Sequence, residues 1–123
     1  MDVLLDLFSP QGRANRFWYL WHIVLDDLVM FTAAIALMMI GVATNLPLMF
    51  VPAAGVMVAG IWAAVCITIK RLHDLDRPGW HWWLLLIPLY NMYLGLVLLF
   101  SKGTDGPNRF GSDPLGGAKV LPR

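Results

Sequence analysis

The chain has 123 residues, of which 59% are hydrophobic and only 14% charged. Soluble domains run at about 45–50% and about 25%, so a single water-soluble globular domain is excluded. The net charge of +1 excludes a global field for nucleic acid, and with one cysteine, Cys66, an internal disulfide is excluded too.

Residues 1–16 read as a cytoplasmic N-terminal segment. Val3, Leu4, Leu5, Leu7 and Phe8 stand against Asp2 and Asp6 in an amphipathic turn or two suited to the membrane surface. A cleavable leader is not expected, because these aspartates and the Pro10-Gln11-Gly12 turn sit where a leader has a basic start and an apolar core. Arg13 and Arg16 then precede Trp18, Tyr19 and Trp21, the pattern of a cytoplasmic membrane entry with an aromatic belt.

The membrane domain is expected over 17–100. A first span covers about residues 17–41 and a second about 47–69, each near the roughly 20 residues that cross ~30 Å of hydrocarbon. Pro47 suits the first turn of its helix. In the second span Gly55, Ala59, Gly60 and Ala63 form small-residue faces that let helix backbones approach, a packing role. Cys66 lies in the same apolar run and reads as a small hydrophobe.

The third apolar run, 80–100, is interrupted by Pro88 and Asn91. It either crosses once or returns as a re-entrant hairpin. No Lys or Arg occupies the turn at 41–46, and a hairpin would keep all nine cations on one side, so the charge rule favours it. Against it stands the need to bury any backbone that turns at membrane depth. The segment 101–123, with five glycines and three prolines, reads as an irregular cytoplasmic tail. The fold class is therefore all-α: an integral membrane helical bundle with two full transmembrane helices and this third run.

Gly12-Arg13 with Arg16 and Trp18, Arg71-Leu72-His73-Asp74 with Arg77, Gly79 and Trp80, and Gly106 with Asn108-Arg109-Phe110-Gly111 and Asp113-Pro114 together resemble the DUF805 family of small bacterial inner-membrane proteins. The likeness spans roughly residues 8–114 and implies a multi-pass protein of the bacterial cytoplasmic membrane. It implies no activity. Pro78 departs from the serine common there, and Phe110-Gly111-Ser112 from Tyr-Gly-Pro.

Three constellations could carry chemistry. In Lys70–Arg77, Lys70 and Asp74 are four apart on a helix and Arg71 and Asp74 three apart, so a self-neutralised helix end is the plain reading. The functional reading is capture of anionic lipid headgroups or another anion by Arg13, Arg16, Lys70, Arg71, His73, Asp74, Arg77, Asn108 and Arg109. Trp18, Trp21, Trp80, Trp82 and Trp83 would be interface anchors. Closely spaced arginines repel unless carboxylates intervene, so Arg13 and Arg16, Arg71–Arg77 and Asn108–Asp113 should converge, with Asp74, Asp76, Asp105 or Asp113 between the cations.

The second constellation is the intramembrane polar group His22, Asp26 and Asp27. A carboxylate at that depth costs about 2.5–3.5 kcal/mol, so it should face protein or water and have a partner, for which His22 stands four residues before Asp26. A proton or cation site, or a contact with a partner subunit, is the functional alternative. The third is the set of possible metal ligands. His73, His81, His22 and the aspartates match no zinc spacing, and the tail fails the EF-hand pattern. No metal, cofactor or catalytic residue is expected; a nucleophile is not evident, and one chain has too few spans for a transport path.

The leading expectation is a non-enzymatic membrane protein that binds a partner, as an accessory subunit of a larger inner-membrane assembly. The alternative is a binder of anionic headgroups. Partners are membrane lipids together with another membrane protein or a second copy, and no nucleic acid.

Overall fold

The computed structural model describes residues 3–116; residues 1–2 and 117–123, the outer ends of the expected N-terminal segment and tail, lie outside the described residues. Helices α1 (Val3–Leu7), α2 (Arg16–Ala43), α3 (Phe50–Asp74) and α4 (Pro88–Phe100) follow in order, with 3-10 segments at Pro47–Met49 and Gly79–Leu86. About 71% of the described residues are helical, and no strand forms among them. This is the all-α bundle expected from the sequence: α2 and the run Pro47–Asp74, each 28 residues, are long and apolar enough to cross a membrane.

Local chemistry sets the ends of both long helices. Asn15 caps α2, its Oδ1 accepting from Trp18 N at 2.9 Å. At its other end Asn45 takes a left-handed φ of 52°, while Asn45 N donates to Val42 O and Leu46 N to Gly41 O. Helix α3 stops in the same way: Asp76 has φ 56°, Asp76 N donates to His73 O and Arg77 N to Leu72 O. Paired bonds of this kind satisfy the last carbonyls of a helix and turn the chain sharply.

Two kinds of packing hold the bundle. Along the outer length of α2 and α3 the buried positions are Met30, Ala34, Gly41, Ala53, Gly60 and Ala63. This narrow seam of small residues lets two apolar helices meet where lipid offers no hydrophobic drive. Of the four positions expected to pack, Gly60 and Ala63 do so, whereas Gly55 and Ala59 are exposed and a Cβ on Gly55 would meet nothing. At the other end a wider core joins Tyr19, Ile67, Leu72, Leu94 and Leu98, with Trp18 and Trp82 packed against it.

The third apolar run builds that second core. Gly79–Leu86 leaves the end of α3, the chain turns at Ile87-Pro88, and α4 returns. Asn91 stabilises the turn, its Nδ2 donating to Leu85 O at 2.7 Å and its N to Ile87 O at 2.7 Å. The last residues of α4 reach Arg71 on α3, since Leu98 O and Ser101 O both accept from that guanidinium. The run therefore ends beside its starting point.

Helix α1 is docked rather than free on a surface. Trp62, Cys66 and Lys70, four residues apart on α3, donate to Phe8 O, Phe8 O and Asp6 O at 3.1, 3.3 and 2.6 Å. The ladder satisfies the carbonyls with which the short helix ends.

Candidate functional site

All seven described cations lie at one end of the bundle, around the end of α3, and the opposite turn at 44–46 carries no charge. At their centre is Asp74. Its Oδ1 accepts from Arg13 Nη2 and Nε at 3.0 and 3.2 Å, and its Oδ2 from Arg71 Nη1 at 2.6 Å. The side chains of Arg13, Arg71 and Asp74 are 1%, 0% and 4% exposed. One carboxylate between two guanidiniums leaves an excess positive charge, and backbone carbonyls disperse it. Arg13 donates to Thr104 O, Gly106 O and Gly111 O, and Arg71 to Ala14 O, Leu98 O and Ser101 O. Thr104 N returns a bond to Asp74 O at 2.7 Å. Charge-assisted bonds from arginine, whose guanidinium carries five donors in a fixed plane, suit this joining of four segments.

The tail closes over the clasp because it carries no side chain at the tightest point. A Cβ on Gly103 would overlap the Asp74 carboxylate. Asn108 and Gly111 exchange backbone bonds at 3.0 and 3.1 Å, and Asn108 Nδ2 donates to His73 O at 2.8 Å. The resulting turn lays Phe110 flat on His73, with ring centroids 4.0 Å apart, while His73 Nδ1 lies 3.0 Å from Gly12 O. Arg109 reaches Asp76 at 3.2 Å, an exposed pair, and its guanidinium sits over Phe110.

Asp113 locks the outer turn of the tail. Leu115 N and Gly106 N donate to its carboxylate at 2.9 and 3.0 Å and hold it below the usual carboxylate range. A carboxyl depressed in the folded state stabilises above its unfolded pKa, about 3.9, and that contribution is lost as pH falls through the lower folded value. In an NMR titration the Gly106 and Leu115 amides are therefore expected to shift together with a midpoint below that of an unfolded aspartate. An Asp113→Asn variant should lack the transition; a wild-type midpoint at or above the unfolded value would contradict this role.

The candidate ligand residues thus have separate tasks. Arg13, Arg71 and Asp74 form the clasp. Lys70 is turned to α1, 2.8 Å from Asp6 Oδ1 and 5.5 Å above the Trp18 ring. His73, Asn108 and Arg109 hold the tail. Arg16 is exposed and borders a cleft of about 190 Å³ with Asn15, Lys102, Asp74, Asp105 and Asp113. There three carboxylates face two cations, and Lys102 is bonded to Asp105 at 3.0 Å. Of the four carboxylates expected between the clustered arginines, Asp74 alone meets Arg13 and Arg71; backbone carbonyls supply the rest. Sequence reading missed Gly103 and Thr104, whose signal was the glycine-rich tail.

In the apolar spans, His22 is not the partner of Asp26. Its Nδ1 lies 2.8 Å from Trp18 O and its ring stacks on Trp18, while Asp26 Oδ2 is buried with no hydrogen-bond partner among the described residues. Trp21, Trp80 and Trp83 are exposed as anchors would be, but Trp18 and Trp82 serve the core.

Comparison with known proteins places these residues in a wider group. Residues 7–112 match the family model described as "Protein of unknown function (DUF805)". Inner membrane protein YhaH of Escherichia coli (strain K12) is 33% identical over 124 residues, covering 93% of this chain and 93% of its own length. Inner membrane protein YhaI of the same strain is 30% identical over 114 residues, covering 93% of this chain and 92% of its own. No solved structure matches the chain.

Proposed function

Since the chain belongs to the DUF805 family and is a membrane protein, we propose that it is a non-enzymatic accessory subunit that binds a partner within a larger inner-membrane assembly. One observation carries the reading. The clasp turns both buried guanidiniums onto Asp74 and six backbone carbonyls, so the polar centre directs its donors to acceptors within the chain and holds the protein together. What is left for interaction is the surface of the bundle. Helix α2 buries only Tyr19, Met30, Ala34 and Gly41 of its 28 residues.

Capture of an anionic headgroup by the whole basic cluster is the weaker reading. Arg13, Lys70 and Arg71 are buried and bonded, and the cleft at Arg16 carries more carboxylates than cations. By the positive-inside rule we place the cationic end of the bundle in the cytoplasm, with residues 3–16 and 101–116 on that side and 80–100 as a re-entrant hairpin.

Two measurements test this. In a Cys66→Ala background, single cysteines at Ser112 and Thr44 are expected to label from the cytoplasm and from the outside respectively; Ser112 labelling from outside would overturn the orientation. After mild detergent extraction, the tagged chain is expected to migrate on native gels as a discrete species far heavier than its own 13.8 kDa plus micelle. Migration only as the lone chain would overturn the accessory role.

A further inference from the structure

A groove of about 250 Å³ opens on the side of the bundle, between α2, α3 and the segment Gly79–Leu86. Met30, Ile61, Val65, Trp82 and Leu86 make it apolar, and Ala64 and Thr68 leave room for close approach. Asp27 is the one charged residue in its lining. Eleven residues after Arg16, it lies about 16 Å along the helix, near the middle of the hydrocarbon if α2 crosses it.

Nothing in the described chain answers that carboxylate. No Lys or Arg occurs between residues 17 and 69. The nearby basic group, His22, is occupied by Trp18, and beside Asp27 the buried Asp26 Oδ2 has no hydrogen-bond partner either. A lipid acyl chain would fill the groove but offers no donor. A second copy offers no cation at that depth, for its own spans have none. Carboxylates at such positions persist where a partner or water meets them.

We infer that this groove docks a transmembrane helix of a partner protein bearing a lysine or arginine within its apolar span, the cation reaching Asp27 while small residues admit the helix. The inference rests on the accessory-subunit reading and gives that partner its chemistry.

The test uses the full chain, fluorescently labelled and reconstituted in phosphatidylcholine vesicles. The probes are two synthetic Leu/Ala transmembrane peptides, identical except for one central residue, Lys or Leu. Energy transfer is expected to report association of the Lys peptide about tenfold tighter than the Leu peptide, the scale of an interhelical polar contact in lipid. Asp27→Asn should abolish that difference while circular dichroism reports unchanged helicity. Equal binding of both peptides, binding of neither, or a preference for Lys that survives Asp27→Asn would overturn the inference. So would protein self-association that excludes the peptide, which would assign the groove to a second copy. A heavy native species persisting alongside any of these outcomes would leave the accessory role standing and remove only the basic-helix partner.

Discussion

Replacing Asp74 with alanine is expected to destabilise the protein by about 3–5 kcal/mol, the range for breaking a buried ion pair by removing one partner. The geometry explains the size. Arg13 and Arg71 are almost fully buried and both point at this carboxylate. Without it two guanidiniums face each other with no anion between them, and as they move apart Arg13 is drawn off the Thr104, Gly106 and Gly111 carbonyls of the tail. Asp105→Ala is the control. The Lys102–Asp105 pair is 74% and 79% exposed, and exposed pairs contribute about 0–1 kcal/mol. Thermal unfolding in detergent, with limited proteolysis after Lys102, checks both. If Asp74→Ala melts with Asp105→Ala and its tail stays protected, the clasp does not hold the fold.

The second large effect concerns the seam between α2 and α3. A Cβ at Gly60 would overlap the Met30 side chain from its own Cβ outward, and Met30 is buried. Rotation of the thioether cannot relieve a clash that begins at Cβ. Gly60→Val should therefore cost about 1–3 kcal/mol, as overpacking does. Gly55→Val, on the open face of the same helix, should leave the melting temperature nearly unchanged. Equal melting of the two variants would mean that the helices do not meet along this seam.

The fold was legible where burial and charge point the same way. Two apolar spans, Pro47 at a helix start and an uncharged turn at 41–46 are enough to place α2 and α3. Pro88 and Asn91 also mark the return of the third run, because proline cannot donate at a helix start and a short polar side chain can bond the carbonyls of the turn. The site was legible only in part. Convergence of the three polar segments follows from repulsion among arginines, yet most acceptors around Arg13 and Arg71 are main-chain carbonyls, which no residue type announces. For the same reason His22 was assigned to Asp26 by its spacing, although the oxygen it meets belongs to Trp18. The docking of α1 rests on Trp62, Cys66 and Lys70; Cys66 read singly as a filler and Lys70 as a cation, Trp62 was not singled out, and only their four-residue spacing along α3 hinted at a common partner.

The clasp also has an order in time. Ribosomes deliver the N-terminal part of a chain first, so Arg13, Arg71 and Asp74 are present before the Leu98, Ser101, Thr104 and Gly106 carbonyls exist to accept hydrogen bonds from the two guanidiniums. A nascent chain stalled near residue 95 would hold two helices ready to insert and a guanidinium with most of its acceptors still unmade. Completion of the last described twenty residues is then the step that supplies those acceptors, and a product truncated before it would carry unsatisfied charge at that end of the bundle.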